Sequence, residues 1–215
     1  MATSRRFSSA AFAEPANQPQ PCLAKSAAHA YNLPMTTRPN LVLVGFMGSG
    51  KSSIGRAAAH RLGFQFVDTD SLIIERAGLE ISEIFARHGE QHFRDLETRA
   101  IESLSPFTRY VIATGGGAVL REQNRALLRD LGYVVLLTAS PEVIYDRVGR
   151  SAKRPLLQTT DPKAVIAQLL AERAPAYDAT AHLTIDTSAL SRDQTVDQLC
   201  AAARASFGWV RDPES

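Results

Sequence analysis

Short apolar runs and helical stripes alternate along most of the chain. Leu41 to Val44 is a run of four apolar residues, the right length and content for a buried strand, and it stops at Gly45. Ile54, Ala57, Ala58 and Leu62 then recur at helical spacing, which predicts a helix over Lys51 to Leu62 with Gly63 as its stop. Phe64 to Val67 predicts a second strand, ending in Asp68-Thr69-Asp70. Two helical stretches follow, Ser71 to Ala77 and Glu80 to Leu104, closed by Gly78 and by Ser105-Pro106. Tyr110 to Ala113 predicts a strand that runs into Thr114-Gly115-Gly116-Gly117. The second half repeats the alternation: helix at Glu122 to Leu131, strand at Tyr133 to Leu137, and a helix at Pro141 to Val148 with proline early. Gly149 to Thr160 is polar and irregular, with Arg150, Lys153 and Arg154 clustered in it. Lys163 to Ala174 predicts a helix, Leu183 to Ile185 a last strand and Asp193 to Ala205 a last helix. Strands that alternate with helices predict an α/β fold, a parallel sheet covered on both faces, which binds ligands at the carboxyl ends of its strands.

Composition adds bounds. With 215 residues, 45% hydrophobic and 21% charged, the chain suits one ordinary globular domain with a real core. No apolar run approaches the ~20 residues of a spanning helix. Residues 1 to 34 are rich in Ala, Ser, Pro and Gln, too poor in large apolar residues to order themselves, and read as a disordered extension. Arg5, Arg6 and a single acid, Glu14, also give it the character of an organellar transit peptide, and Met35 offers an alternative start. A folded domain is expected from 35 to 206, with a tail at 207–215. Net charge is +2; setting aside Arg5, Arg6, Lys25 and Glu14, the body carries 21 basic and 21 acidic residues. That balance argues against a nucleic-acid surface. Cys22 and Cys200 form no disulfide framework and no metal spacing; Cys200, beside Leu199 and four from Val196, is expected to pack as a small apolar residue in a reducing compartment.

The chemistry concentrates where the strands end. Leu41 to Ser53 reads LVLVGFMGSGKSS, which fits the phosphate loop G-x-x-x-x-G-K-[ST] with a strand before it and a helix after it. Glycines let successive backbone N–H groups curl around a polyphosphate, and the helix that follows points its unpaired N–H groups at the same anion. Lys51 would reach the β- and γ-phosphates and the Ser52 hydroxyl would ligate Mg²⁺. Asp68 and Asp70, two apart at a strand end, are expected to project to one face roughly 7 Å apart, one toward the metal and one toward an acceptor; the alternative is a helix cap. Arg94 and Glu97 are neighbours at i, i+3, either a surface pair or a guanidinium held ready to grip a carboxylate. Gly115 to Gly117 are a tight turn or a floor that a ligand can approach closely. His88 and His92, with Glu90 between them, read as a solvated helix face around Gly89 rather than a metal site.

In combination these pieces resemble the shikimate kinase family. The resemblance runs from about Asn40 to Ala205 and rests on the GFMGSGKSS loop, D-T-D after the second strand, F-R-x-x-E at Phe93 to Glu97, the triple glycine, K-R-P-L-L at Lys153 to Leu157 and R-x-x-x-Y at Arg173 to Tyr177. It implies the P-loop fold of the nucleoside monophosphate kinases, a five-stranded parallel sheet flanked by helices on both faces, with a mobile lid at about 149–160. It implies transfer of the γ-phosphoryl of ATP to the 3-hydroxyl of shikimate, giving shikimate 3-phosphate on the way to chorismate and the aromatic amino acids. By match, Gly48, Ser49, Gly50, Lys51, Ser52 and Ser53 hold the ATP phosphates, Ser52 holds Mg²⁺ and Asp68 lies near the metal through water. Asp70, Arg94, Gly116 and Arg173 bind shikimate, Arg154 in the lid contacts ATP, and Arg147 packs on adenine. Lys51 and Arg154 would neutralise charge on the transferring group, while Asp70 orients the 3-hydroxyl and takes its proton late. The resemblance also implies a monomeric cytoplasmic enzyme that meets ATP and shikimate and neither nucleic acid nor membrane.

Other readings differ at named residues. A gluconate kinase shares the G-x-S-G-K-S loop but not the F-R-x-x-E helix, the triple glycine and R-x-x-x-Y together. A regulatory, non-catalytic relative would be expected to have lost phosphate-loop or acidic residues, and Lys51, Ser52, Asp70 and Arg154 are all present. A GTPase switch would need an N-K-x-D motif, which the chain lacks.

Overall fold

Among the residues described by the computed structural model, 38–148 and 159–208, five strands form one sheet. They are β1 (Leu41–Val44), β2 (Gln65–Asp68), β3 (Tyr110–Ala113), β4 (Tyr133–Thr138) and β5 (Leu183–Asp186). All neighbours are parallel, in the order β2-β3-β1-β4-β5, with β1 central and in register Leu41 opposite Val111 on one side and Tyr133 on the other. The expected extension at 1–34, Arg150, Lys153 and Arg154 of the expected lid, and Trp209 with the rest of the tail beyond it lie outside the described residues.

Side chains alternate across a strand, and β1 shows what each face meets. Leu41 and Leu43 join Ile54, Ala58, Leu62, Val196, Leu199 and Cys200, so one face is covered by α1 (Lys51–Leu62) and α7 (Arg192–Ser206). Val42 and Val44 join Ile101, Leu104, Leu128, Leu131 and Tyr177, so the other is covered by α3 (Ile81–Glu102), α4 (Glu122–Leu131) and α6 (Pro162–Thr180). All four β1 side chains are fully buried. Burial on both faces explains the unbroken apolar run, at roughly 1.5–3 kcal/mol for each large side chain taken from water. Cys200 packs in the core as an apolar residue would.

Three expectations need correction. Asp70 does not continue β2: α2 runs Thr69–Ala77, Asp68 is its N-cap, and the Asp70 N–H donates to Asp68 Oδ1 at 3.1 Å. The two carboxylates therefore belong to a cap and a first helical turn, not to one face of a strand. The helix expected over Glu80 to Leu104 is broken at Gly89, whose φ of 80° and ψ of 174° only glycine adopts readily, so α3 is two helical pieces. The helix expected to stop at Ala174 continues through Pro175 to Thr180. Tertiary contacts hold that last stretch: Tyr177 is buried, and Arg129 Nη1 donates to the Ala179 and Thr180 carbonyls at 3.3 and 3.2 Å.

Candidate active site

The sharp turn after β1 brings the loop back over the carboxyl edge of the sheet. Gly48 (φ 79°) and Gly50 (φ 98°) take left-handed backbone that L side chains rarely adopt, and α1 begins at the next residue. Lys51 is buried, and its ammonium donates to the Gly45 and Phe46 carbonyls at 2.8 and 2.9 Å. Ser49 is fully buried, and its Oγ has no hydrogen-bond partner among the described residues. Ser52 Oγ donates to Asp68 Oδ2 at 2.7 Å. Arg147, on α5 (Pro141–Val148), is tethered at three points: Nη1 to the Gly48 carbonyl (3.2 Å) and Thr187 Oγ1 (3.1 Å), Nη2 to the Thr187 carbonyl (3.1 Å).

A second grip is built on α3. Arg94 Nη1 donates to Glu97 Oε2 at 3.0 Å, while Nε and Nη2 donate to Glu90 Oε1 at 3.3 and 3.0 Å. Charge-assisted bonds on two edges fix the plane of the guanidinium. Burial works against the Arg94 charge, but the two carboxylates outweigh it and raise its pKa. Glu97 is fully buried, with Oε1 lacking a hydrogen-bond partner among the described residues; burial pushes its carboxyl above the ordinary range, Arg94 pulls the other way, and Asp70 adds to the upward push. Arg173 on α6 lies over the Phe46 ring, 5.3 Å from its centroid, and donates to the Gly116 carbonyl at 3.3 Å. Tyr177, one turn on, donates to the same carbonyl at 2.6 Å.

The triple glycine is needed for room. A Cβ on Gly115 would stand 2.6 Å from Asp70 Oδ1 and 2.8 Å from Glu97 Oε1, and one on Gly117 would stand 2.3 Å from Arg94 Nη1. Both sequence readings are present: the Ala118 N–H donates to the Gly115 carbonyl at 3.2 Å across a tight turn, and the same glycines form a floor approached closely by the protein's own side chains.

All these elements face one cavity of about 490 Å³. Of the residues expected at the site, Gly48, Gly50, Lys51, Ser52, Ser53, Asp68, Asp70, Arg94, Gly116, Arg147 and Arg173 line it, with Ile81, Phe85 and Phe93 as an apolar wall. Ser49 sits behind the loop, and Arg154 lies outside the described residues. Ser52 and Asp68 offer a hydroxyl and a carboxylate in contact, a hard-oxygen pair that suits Mg²⁺. No group of three His, Cys, Asp or Glu suited to a metal occurs among the described residues, so an ion here would take the rest of its ligands from water and phosphate. His88 and His92 are exposed, their rings 4.9 Å apart. Sequence reasoning missed Glu90, although its i, i+4 spacing to Arg94 was a readable signal, and Thr187, for which there was none.

The shikimate kinase family model matches residues 47–204. A shikimate kinase of Geobacter sulfurreducens is 50% identical over 165 residues, covering 77% of this chain and 91% of that protein. One of Geobacter metallireducens is 51% identical over 160 residues, covering 74% and 89%. Among solved structures, shikimate kinase from Acinetobacter baumannii in complex with shikimate superposes with a TM-score of 0.73 at 38% identity, covering 78% of this chain and 94% of that one.

Proposed function

Because the chain belongs to the shikimate kinase family, an ATP-dependent kinase family that phosphorylates shikimate, we propose that this cavity performs that transfer and assign its residues roles. One observation carries the assignment: the phosphate loop with Lys51, and the clamp of Arg94 and Arg173 with Asp70, open into the same cavity at the carboxyl edge of the sheet. Backbone N–H groups of Gly48 to Ser53 and the ammonium of Lys51 receive the terminal phosphates of ATP. Lys51 is within reach because it already lies along the loop, and it exchanges the Gly45 and Phe46 carbonyls for phosphate oxygens. Ser52 and Asp68 would hold Mg²⁺, Asp68 through water. The ion supplies charge neutralisation on the phosphates when bound.

On the acceptor side, Arg94 and Arg173 take the carboxylate of shikimate, and Asp70 with the Gly116 backbone meets its hydroxyls. Phosphoryl transfer passes through a loose transition state, so alignment and charge matter more than early deprotonation. Asp70 accordingly orients the 3-hydroxyl and accepts its proton late. Arg154, which lies outside the described residues, is assigned to charge neutralisation on the transferring group, and Arg147 to packing against adenine. We extend the same reading to a monomer; balanced body charge argues against a nucleic-acid partner, and two cysteines without a disulfide pattern suit the cytoplasm. No described helix is long and apolar enough to cross a membrane.

The test is product formation by the purified protein with ATP and Mg²⁺, with shikimate and gluconate compared side by side. ADP release that depends on shikimate, with a phosphate ester at its 3-position by ³¹P NMR, is the expected result. Turnover on gluconate alone, or on neither, would overturn the proposal.

A further inference from the structure

The geometry points to Tyr177 as a positioning residue for the acceptor side, acting through the carbonyl of Gly116. Tyr177 and Arg173 stand one helical turn apart on α6 and converge on that single oxygen, the phenol at 2.6 Å and the guanidinium at 3.3 Å. The tyrosine ring is 4% exposed, packed with Val42, Val44, Val134 and Leu136, so its hydroxyl cannot swing to another acceptor. Burial holds its pKa up to about 12, and the group remains an O–H donor throughout the working range.

What this bond fixes follows from peptide geometry. A Gly-Gly peptide has little steric resistance to rotation, and three glycines in succession would sample many orientations. The Gly116 carbonyl and the Gly117 N–H belong to one planar trans peptide and point in opposite directions. With the carbonyl held by Tyr177 and Arg173, the Gly117 N–H is fixed on the opposite side of the same peptide, and both glycines line the cavity. The same turn supports both grips: a Cβ on Gly116 would lie 3.3 Å from the Met47 amide of the phosphate loop, and Gly117 lies under the Arg94 guanidinium. A floor free to flip would misplace the donor offered to the acceptor's hydroxyls and loosen the surface on which Arg94 rests. Arg173 alone cannot do this work, since its longer bond is made by a side chain that also has a carboxylate to meet.

This inference rests on the reading that the glycine turn floors the shikimate side of the cavity. Its test is Tyr177→Phe, which keeps the ring and removes the donor. Expected are a rise of about five- to tenfold in the KM for shikimate, the order set by one neutral hydrogen bond, an unchanged KM for ATP and near-normal thermal stability. In the ligand-free proteins, hydrogen exchange should quicken in the peptide containing Gly115 to Ala118 and stay unchanged in β4. Unaltered shikimate KM and unaltered exchange in the variant would overturn the inference while leaving the kinase reading intact. Absence of shikimate turnover in the unmutated protein would instead overturn the reading beneath it.

Discussion

Gly117→Ala tests how the triple glycine places Arg94. Gly117 has φ −105° and ψ 0°, a conformation alanine adopts, so the backbone need not change. Removing a glycine from the unfolded ensemble would by itself stabilise the protein by about 0.4–1 kcal/mol. The new methyl, however, would stand 2.3 Å from Arg94 Nη1 and 2.8 Å from its Cζ and Nη2. Carbon contacts settle near 3.5–4.0 Å, so the guanidinium must withdraw by about 1 Å. Its bonds to Glu97 and Glu90 start at 3.0 Å and cannot all survive that shift. A hydrogen bond to a charged group contributes about 1.5–3 kcal/mol, so one lost bond to the substrate carboxylate corresponds to a roughly ten- to hundredfold rise in the shikimate KM. Initial rates with shikimate varied at saturating ATP, then the reverse, would show the first constant raised and the second unchanged, while a melting curve would show a modest loss, the weakened pairing of buried Glu97 outweighing the glycine's gain. A shikimate KM equal to that of the unmutated protein refutes the reasoning, and so does an equal rise in the KM for ATP.

Three further outcomes are expected. Asp70→Asn should fold, bind ATP and turn over poorly, as read by nucleotide titration beside steady-state kinetics; retention of most activity would reduce Asp70 to a hydroxyl acceptor. On the role proposed for it, Arg154→Ala should lower kcat by roughly 10³ or more with little change in shikimate binding; normal turnover would remove it from the mechanism. His182 Nδ1 accepts the Val134 N–H at 2.9 Å, so the fold selects the neutral imidazole, and burial together with Arg129 lowers its pKa. The unfolded chain therefore takes up the proton first, and stability falls as pH drops below about 6.5 toward the folded-state value. Melting curves from pH 7.5 to 5.5 should show a steeper decline than for His182→Gln, whose carbonyl can accept the same N–H; parallel curves would contradict this.

The parts of this protein that were legible in its sequence are those governed by neighbours along the chain. Leu41 to Val44 announced a doubly buried strand because nothing polar interrupts it, and the loop to Ser53 announced its chemistry because backbone conformation there depends on glycines at fixed offsets. What escaped depends on partners far away. Pro175 ordinarily ends a helix, and the packing of Tyr177 with the Arg129 contacts helps carry α6 past it. Asp68 and Asp70 fitted both a strand end and a cap, and the cap prevailed because the Asp68 carboxylate satisfies an otherwise orphan N–H. The role of the triple glycine could not be chosen from the sequence at all, since Asp70, Glu97 and Arg94 reach it from positions 18 to 45 residues earlier.

The tether on Arg147 bears on which phosphoryl donors the enzyme accepts. With both terminal nitrogens occupied by Gly48 and Thr187, the guanidinium has its flat face left to offer a nucleobase. Stacking of a delocalised cation senses an aromatic plane and is blind to whether the ring edge carries an amino or an oxo substituent. Selectivity among purine triphosphates would then rest on whatever else meets that edge, and to the extent that Arg147 dominates, GTP would serve as a poorer but usable substitute for ATP.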